Sequence, residues 1–332
     1  MVARRHLSRT TLAFLTALAF WVLALAFLAS LMQRPAARHW LAGQVAQELG
    51  TIAFSSVDDL YANVGAATIA TATVAHYAVA KTGLEQGQHL LIEKPITQTV
   101  EEADELCRQA RANGVILQVG HIERFNPAIL ALERFLIQPM FIESHRLAQF
   151  KPRGSDVAVV LDLMIHDIDL ILSFVKSPVK QVDANGVAVV SGSVDIANAR
   201  LQFENGCVAN VTASRISQRK MRKMRIFQKN SYISLDFSEG LAEVFRLVGE
   251  DEPDTKGTLL LGEIDLGARK RKIVYEQPEV KDVNALKHEL ELFVDAIRHG
   301  GKPVVDGEDG KRALEVASMI MERISQQTLN VG

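Results

Sequence analysis

Asp162, His166 and Asp169 stand at i, i+4 and i+7 within VVLDLMIHDIDLILSFV, residues 159–175. At about 100° per residue the three share one narrow helical face, while aliphatic side chains cover nearly every other direction. A helix that is apolar all round is a buried one. Burying carboxylates and an imidazole requires partners, because an unsatisfied polar group costs on the order of 2–7 kcal/mol. Such a stripe either lines a cavity or closes on itself as a core network. In the first reading it is an acid–base centre, with His166 able to trade a proton near neutral pH.

Composition sets the frame for these residues. The chain has 332 residues, of which 48% are hydrophobic and 23% charged, room for about two domains with ample core. A formal charge of −2 gives no electrostatic footprint for nucleic acid. Its two cysteines, Cys107 and Cys207, form no C-x-x-C pair, and the histidines show no ligand spacing. Neither a disulfide framework nor a metal site is expected.

Residues 1–42 stand apart from the rest. MVARRHLSRT is basic, and residues 11–32 carry no charge, a run long enough to cross a bilayer. Three readings stay open: a transmembrane anchor with its basic flank inside, an export signal, or a foreign stretch from a shifted reading frame. The orderly elements downstream favour the third.

Across residues 43–121 strands and helices alternate. AATIA, HLLIE and VILQV are short apolar strands, HYAVAKTGLEQG is helical, and Thr99-Val100-Glu101-Glu102 is a capping box opening VEEADELCRQARA. The pattern predicts a doubly wound parallel sheet, Rossmann-like in class α/β. Such sheets open with a strand running into G-x-G-x-x-G. That motif is absent from the sequence, so the first β-α-β unit is missing or replaced. Residues 122–300 are read as a second domain, in which the period becomes two after the helix of residues 159–175. DIANARLQFENGCVANVTASRIS alternates about Asn205-Gly206, a hairpin signal. RKMRKMRIFQ and SYISLDF continue an open, mainly antiparallel sheet in a C-terminal α+β domain, residues 240–282 read as a polar meander, and two helices close the chain.

Glu93-Lys94-Pro95 ending a strand, GHIERFNP at residues 120–127, D-x-M-x-H-x-x-D from Asp162 to Asp169, and EDGKRALEVA at residues 308–317 occur in that order. Together they resemble the Gfo/Idh/MocA family of NAD(P)-dependent sugar oxidoreductases over roughly residues 43–326. The resemblance implies a Rossmann domain followed by an open-sheet domain, with the last helix (residues 301–330) packing back towards the first. It implies Lys94, Asp162 and His166 as catalytic groups, and Thr71, His76, Glu93 and Lys94 at the cofactor, NAD or NADP. His166 would take the hydroxyl proton, Asp162 would orient its ring, and Lys94 would hydrogen-bond the developing alkoxide. Arg124, Asn126, Arg146, Arg153 and Asp169 are expected at the substrate, the arginines matching a phosphate.

The wording of these segments is most similar to members that oxidise the 3-hydroxyl of UDP-N-acetylglucosamine on the way to amide-linked lipid A. A nucleotide sugar is therefore the expected small-molecule partner. Three departures imply impaired cofactor binding: the missing glycine fingerprint, Thr71-Ala72 in place of Thr-Pro, and Gly65 in place of an Asp. Two other functions compete, a non-catalytic dinucleotide or sugar sensor of the same fold and a membrane-anchored oxidoreductase. Retention of Lys94, Asp162 and His166 favours the enzyme. The body is expected to be cytoplasmic, membrane-bound only through residues 11–32, and a homo-oligomer through its C-terminal sheet.

Overall fold

The computed structural model describes residues 35–151, 157–249, 257–265 and 270–331. The apolar segment 11–32 and Arg153 lie outside the described residues. Among the described residues no helix is long and apolar enough to cross a membrane. The chain divides into two units, one of residues up to 121 with 286–311, the other of residues 122–285 with 312 onward.

The first unit opens with helices α1 (Pro35–Leu49) and α2 (Val57–Tyr61), the latter capped by Ser56, whose hydroxyl accepts from the Asp59 amide. Three parallel strands follow in the order β1 (Ala66–Ile69), β2 (His89–Glu93), β3 (Leu117–Gly120). The crossovers between them are α3 (Thr73–Glu85) and α4 (Val100–Ala112). Leu90, Leu91 and Ile92 are all buried, as a parallel strand covered on both faces requires. Both hydrogen bonds of the Thr99–Glu102 capping box form at the start of α4.

Helix α7 (Ala285–His299) falls in this unit from Leu286 onward. It lays Leu290 and Phe293 on Leu91 of the parallel sheet. Spacing along a helix reveals its apolar face but not which sheet will receive it. The last helix, α8 (Gly307–Val331), begins against β3. A Cβ at Gly310 would stand 2.5 Å from Val119 Cγ2, and one at Gly307 2.8 Å from Cys107 Sγ. Only glycine permits that approach.

In the second unit the described residues form a nine-stranded sheet, ordered β11-β12-β10-β9-β8-β4-β7-β6-β5. The strands are β4 (Phe141–Leu147), β5 (Val179–Val187), β6 (Ile196–Phe203), β7 (Val208–Ser214), β8 (Met221–Gln228), β9 (Ser231–Asp236), β10 (Leu241–Gly249), β11 (Thr258–Asp265) and β12 (Lys270–Glu276). Only β4 and β7 pair in parallel; the other neighbours are antiparallel. The hairpin between β6 and β7 turns at Gly206 with φ 86°. What reads as a polar meander is β10 to β12. Edge strand β11 buries none of its residues, so it lacks the alternation that a half-buried strand displays.

The core helix starts as a π turn, Val160–Met164, and continues as α6 (Ile165–Val175) after a short helix α5 (Pro127–Leu130) earlier in the chain. Ile165, Ile168 and Ile171 pack with Val211, Ile226 and the α8 residues Ala317 and Ile320 in one buried cluster. The π turn differs from the uniform helix that the sequence suggests. It shifts Asp162 relative to His166, and π turns inside helices recur where a side chain must be re-aimed.

Candidate active site

In open α/β sheets, ligands bind beyond the carboxyl ends of the strands. In the first unit that edge holds Thr71 after β1, Glu93-Lys94-Pro95 after β2, and His121 after β3. Thr71 is exposed and Lys94 half-buried. Lys94-Pro95 is a cis peptide. Gly120 makes room for Glu93, since a Cβ there would lie 3.1 Å from its Oε2. Burial raises the Glu93 carboxyl above the usual range, with the Lys94 charge pulling the other way. On α7, burial and then the nearness of Glu93 push Glu289 up to about 8. Oε1 of Glu289 is buried without a hydrogen-bond partner. That atom is more cheaply buried when its group stays protonated.

His76, expected at the cofactor, is instead buried at 1% exposure. Nδ1 lies 2.9 Å from the Pro95 carbonyl oxygen and Nε2 3.1 Å from that of Thr71. Burial lowers its pKa, while the Pro95 and Thr71 carbonyls oppose the shift. No edge of the ring is left for a ligand.

In the second unit, Asp162 lies in the π turn and His166 on the first turn of α6, both half-buried. The other two carboxylates of the helix, Asp167 and Asp169, are each 1% exposed. Both oxygens of Asp169 are taken by Arg124, with Nε to Oδ2 at 2.6 Å and Nη2 to Oδ1 at 2.8 Å. Arg124 and Asp169, both expected at the substrate, are therefore paired with each other inside the fold.

Arg146, also expected at the substrate, is likewise paired within the fold. It is 3% exposed. Nε and Nη2 donate to Asp167 at 2.6 and 3.1 Å, and Nη1 donates to Glu123 at 2.8 Å. Burial alone would lower its pKa, but the two carboxylates override it and raise the value further. Asn126 caps α5, accepting from the Ala128 amide at 3.0 Å and donating to Glu123 and to the Phe237 carbonyl. Glu123 and Asp167 were not singled out in the sequence. Their signal was present in Glu123-Arg124 and in the D-x-D of residues 167–169, where neighbouring residues each demand a partner once buried.

The fold and these groups define a two-unit oxidoreductase architecture, and sequence comparison agrees. The profile of the Gfo/Idh/MocA oxidoreductase family with its NAD-binding Rossmann fold matches residues 28–121, and the profile of that family's C-terminal domain matches residues 141–234. The chain is 39% identical over 280 residues to the UDP-N-acetylglucosamine 3-dehydrogenase of Acidithiobacillus ferrooxidans, covering 84% of this chain and 85% of that one. The solved structure of that enzyme superposes with a TM-score of 0.77 at 37% identity, over 86% of this chain and 87% of the other. A levoglucosan dehydrogenase solved with NADH and levoglucosan has a TM-score of 0.71 over 86% and 85% of the two chains, at 18% identity, and shares the fold. The scyllo-inositol 2-dehydrogenase (NAD(+)) of Bacillus subtilis is 28% identical over 53% of this chain and 57% of its own. The chain belongs to the Gfo/Idh/MocA oxidoreductase family.

The residues fit the cofactor unevenly. Thr71, Glu93 and Lys94 stand at the carboxyl ends of adjacent parallel strands, the edge of such sheets that receives ligands. No G-x-G pair exists in the sequence to cradle a pyrophosphate.

Proposed function

We propose that this chain oxidises the 3-hydroxyl of UDP-N-acetylglucosamine with NAD or NADP as hydride acceptor. The observation that carries this reading is the 39% identity to an enzyme of that activity over 84% of the chain. Retention of Lys94, Asp162 and His166 agrees with it.

Removing hydride from a secondary alcohol leaves the oxygen with a proton to lose. His166 is the base for that proton, and Asp162, in the preceding turn, favours the imidazolium that results. Lys94 donates a hydrogen bond to the oxygen as negative charge grows on it. When bound, the nicotinamide ring supplies the hydride acceptor. Thr71, Glu93 and Lys94 hold that end of the dinucleotide. Without a glycine-rich cradle the pyrophosphate has fewer backbone donors, so cofactor affinity is weaker than in relatives that carry the fingerprint.

The ketone product suits a following transamination, as in a route to amide-linked lipid A. Use of UDP-sugars and NAD supports a cytoplasmic enzyme body. A row of aromatic side chains supports self-association through the sheet: Phe141, Phe227, Tyr232, Phe245 and Tyr275 touch in sequence across five strands, with centroids 4.9–5.8 Å apart. An assay of NADH formation with UDP-N-acetylglucosamine, UDP-glucose and free inositol tests the function. Selective turnover of the first is expected; preference for inositol or free glucose refutes it.

A further inference from the structure

His76 makes two contacts that the reaction as described does not use. It sits in the first turns of α3, and its ring nitrogens face two backbone carbonyls, those of Pro95 and Thr71, at 2.9 and 3.1 Å. The two carbonyls belong to segments leaving adjacent parallel strands, β1 and β2. One is the carbonyl of Pro95, the residue immediately after Lys94. The other lies in the loop that carries exposed Thr71. A carbonyl only accepts, and a neutral imidazole donates from one nitrogen only. The ring is thus wedged as a spacer with one hydrogen bond, or two when protonated. The N-cap residue of α3, Ala72, makes no side-chain capping hydrogen bond.

We propose that His76 is a positioning residue for Lys94, joining the turn that carries the lysine to the loop after β1. The pair of loops then forms one rigid edge under the cofactor and substrate. A displacement of about 1 Å in a catalytic group lowers turnover by on the order of 100-fold. The ring's value lies in fixing the Pro95 carbonyl rather than in meeting a ligand. The functional half of this inference rests on the dehydrogenase reading above, and the structural half stands without it.

The test uses the full-length chain with its lysines reductively 13C-methylated. The Lys94 resonance is identified by its loss in Lys94→Arg, then followed in His76→Phe and His76→Gln. In His76→Phe the Lys94 signal is expected to move while the other lysine signals stay in place. kcat should fall by about 10- to 100-fold with KM for UDP-N-acetylglucosamine little changed. His76→Gln, whose amide donates to one carbonyl, should recover part of both. An unmoved Lys94 signal in folded His76→Phe overturns the proposal. Where His76→Phe does not fold, His76→Gln decides: a smaller displacement of the Lys94 signal supports the proposal, and none overturns it. If the unsubstituted chain turns over no sugar, the dehydrogenase reading fails while the Lys94 signal still settles the role of His76.

Discussion

Arg124 holds Asp169 with two hydrogen bonds, Nε at 2.6 Å and Nη2 at 2.8 Å, on a carboxylate that is 1% exposed. The pair ties the single turn Ile122–Phe125 to the middle of α6, the helix that carries His166. Removing one member leaves the other charged and buried, which typically destabilises by about 3–5 kcal/mol. Arg124→Ala should lose that much in denaturant unfolding. The double change Arg124→Met with Asp169→Leu should recover most of it, since no lone charge then remains. A loss below about 1 kcal/mol in Arg124→Ala, with a large rise in sugar KM, would return Arg124 to the substrate.

The chemistry assigned to Lys94 and His166 is checked more directly. Each alanine variant should fold normally by circular dichroism and lose about 10²- to 10⁴-fold in kcat, the range for a positioned acid–base group. Asp162→Asn should lower kcat less and change its pH dependence, because it acts through the imidazole. Near-normal turnover in His166→Ala removes that residue from the mechanism.

Glu289 gives a stability prediction with a defined sign. Its folded pKa stands at about 8 against an ordinary value of 4.5, so the folded chain keeps a proton that the unfolded chain releases. The contribution to stability is fully present below pH 4.5 and is lost as pH rises through about 8. Glu93, raised by burial as well, acts in the same direction. Glu289→Gln, which mimics the protonated form, should match the parent near pH 5 and exceed it in unfolding free energy near pH 9. Parallel pH profiles for the two proteins would show that Glu289 ionises freely in the fold.

The sequence displayed much of this architecture and little of its internal wiring. Capping at Thr99, the turn at Gly206 and the apolar run of α6 are local facts, set by neighbours within a few residues. The four segments that resemble the family could be read in order along the chain. The roles of Arg146, Arg124 and Asp169 could not, because each depends on a carboxylate or guanidinium far away in sequence. Arg146 meets Glu123 and Asp167 across 23 and 21 residues. A basic residue beside a catalytic helix looks alike on the page whether it meets phosphate or a buried acid. The same holds for Gly310, whose need for glycine comes from Val119 on β3. His76 was likewise a cofactor candidate by position, and only its two carbonyl contacts show that it points inward.

The aromatic row on the nine-stranded sheet carries the last prediction. Cross-strand register places Phe141 opposite Phe227, Phe227 opposite Tyr232, Tyr232 opposite Phe245, and Phe245 opposite Tyr275. Leu259 of edge strand β11 continues the row opposite Tyr275 and is 61% exposed. A contiguous apolar band of this length on a sheet face is the kind of surface that a second subunit covers, and an isologous pairing of the same face satisfies it in both copies. Phe245→Glu places a charge at the centre of the band, where a partner would have to desolvate it. Light scattering on the parent chain should give the mass of an oligomer, and Phe245→Glu should shift it to the monomer at micromolar concentration with the fold retained. A parent chain that is monomeric throughout that range, or an oligomer indifferent to Phe245→Glu, assigns the aromatic row to stabilising its own sheet.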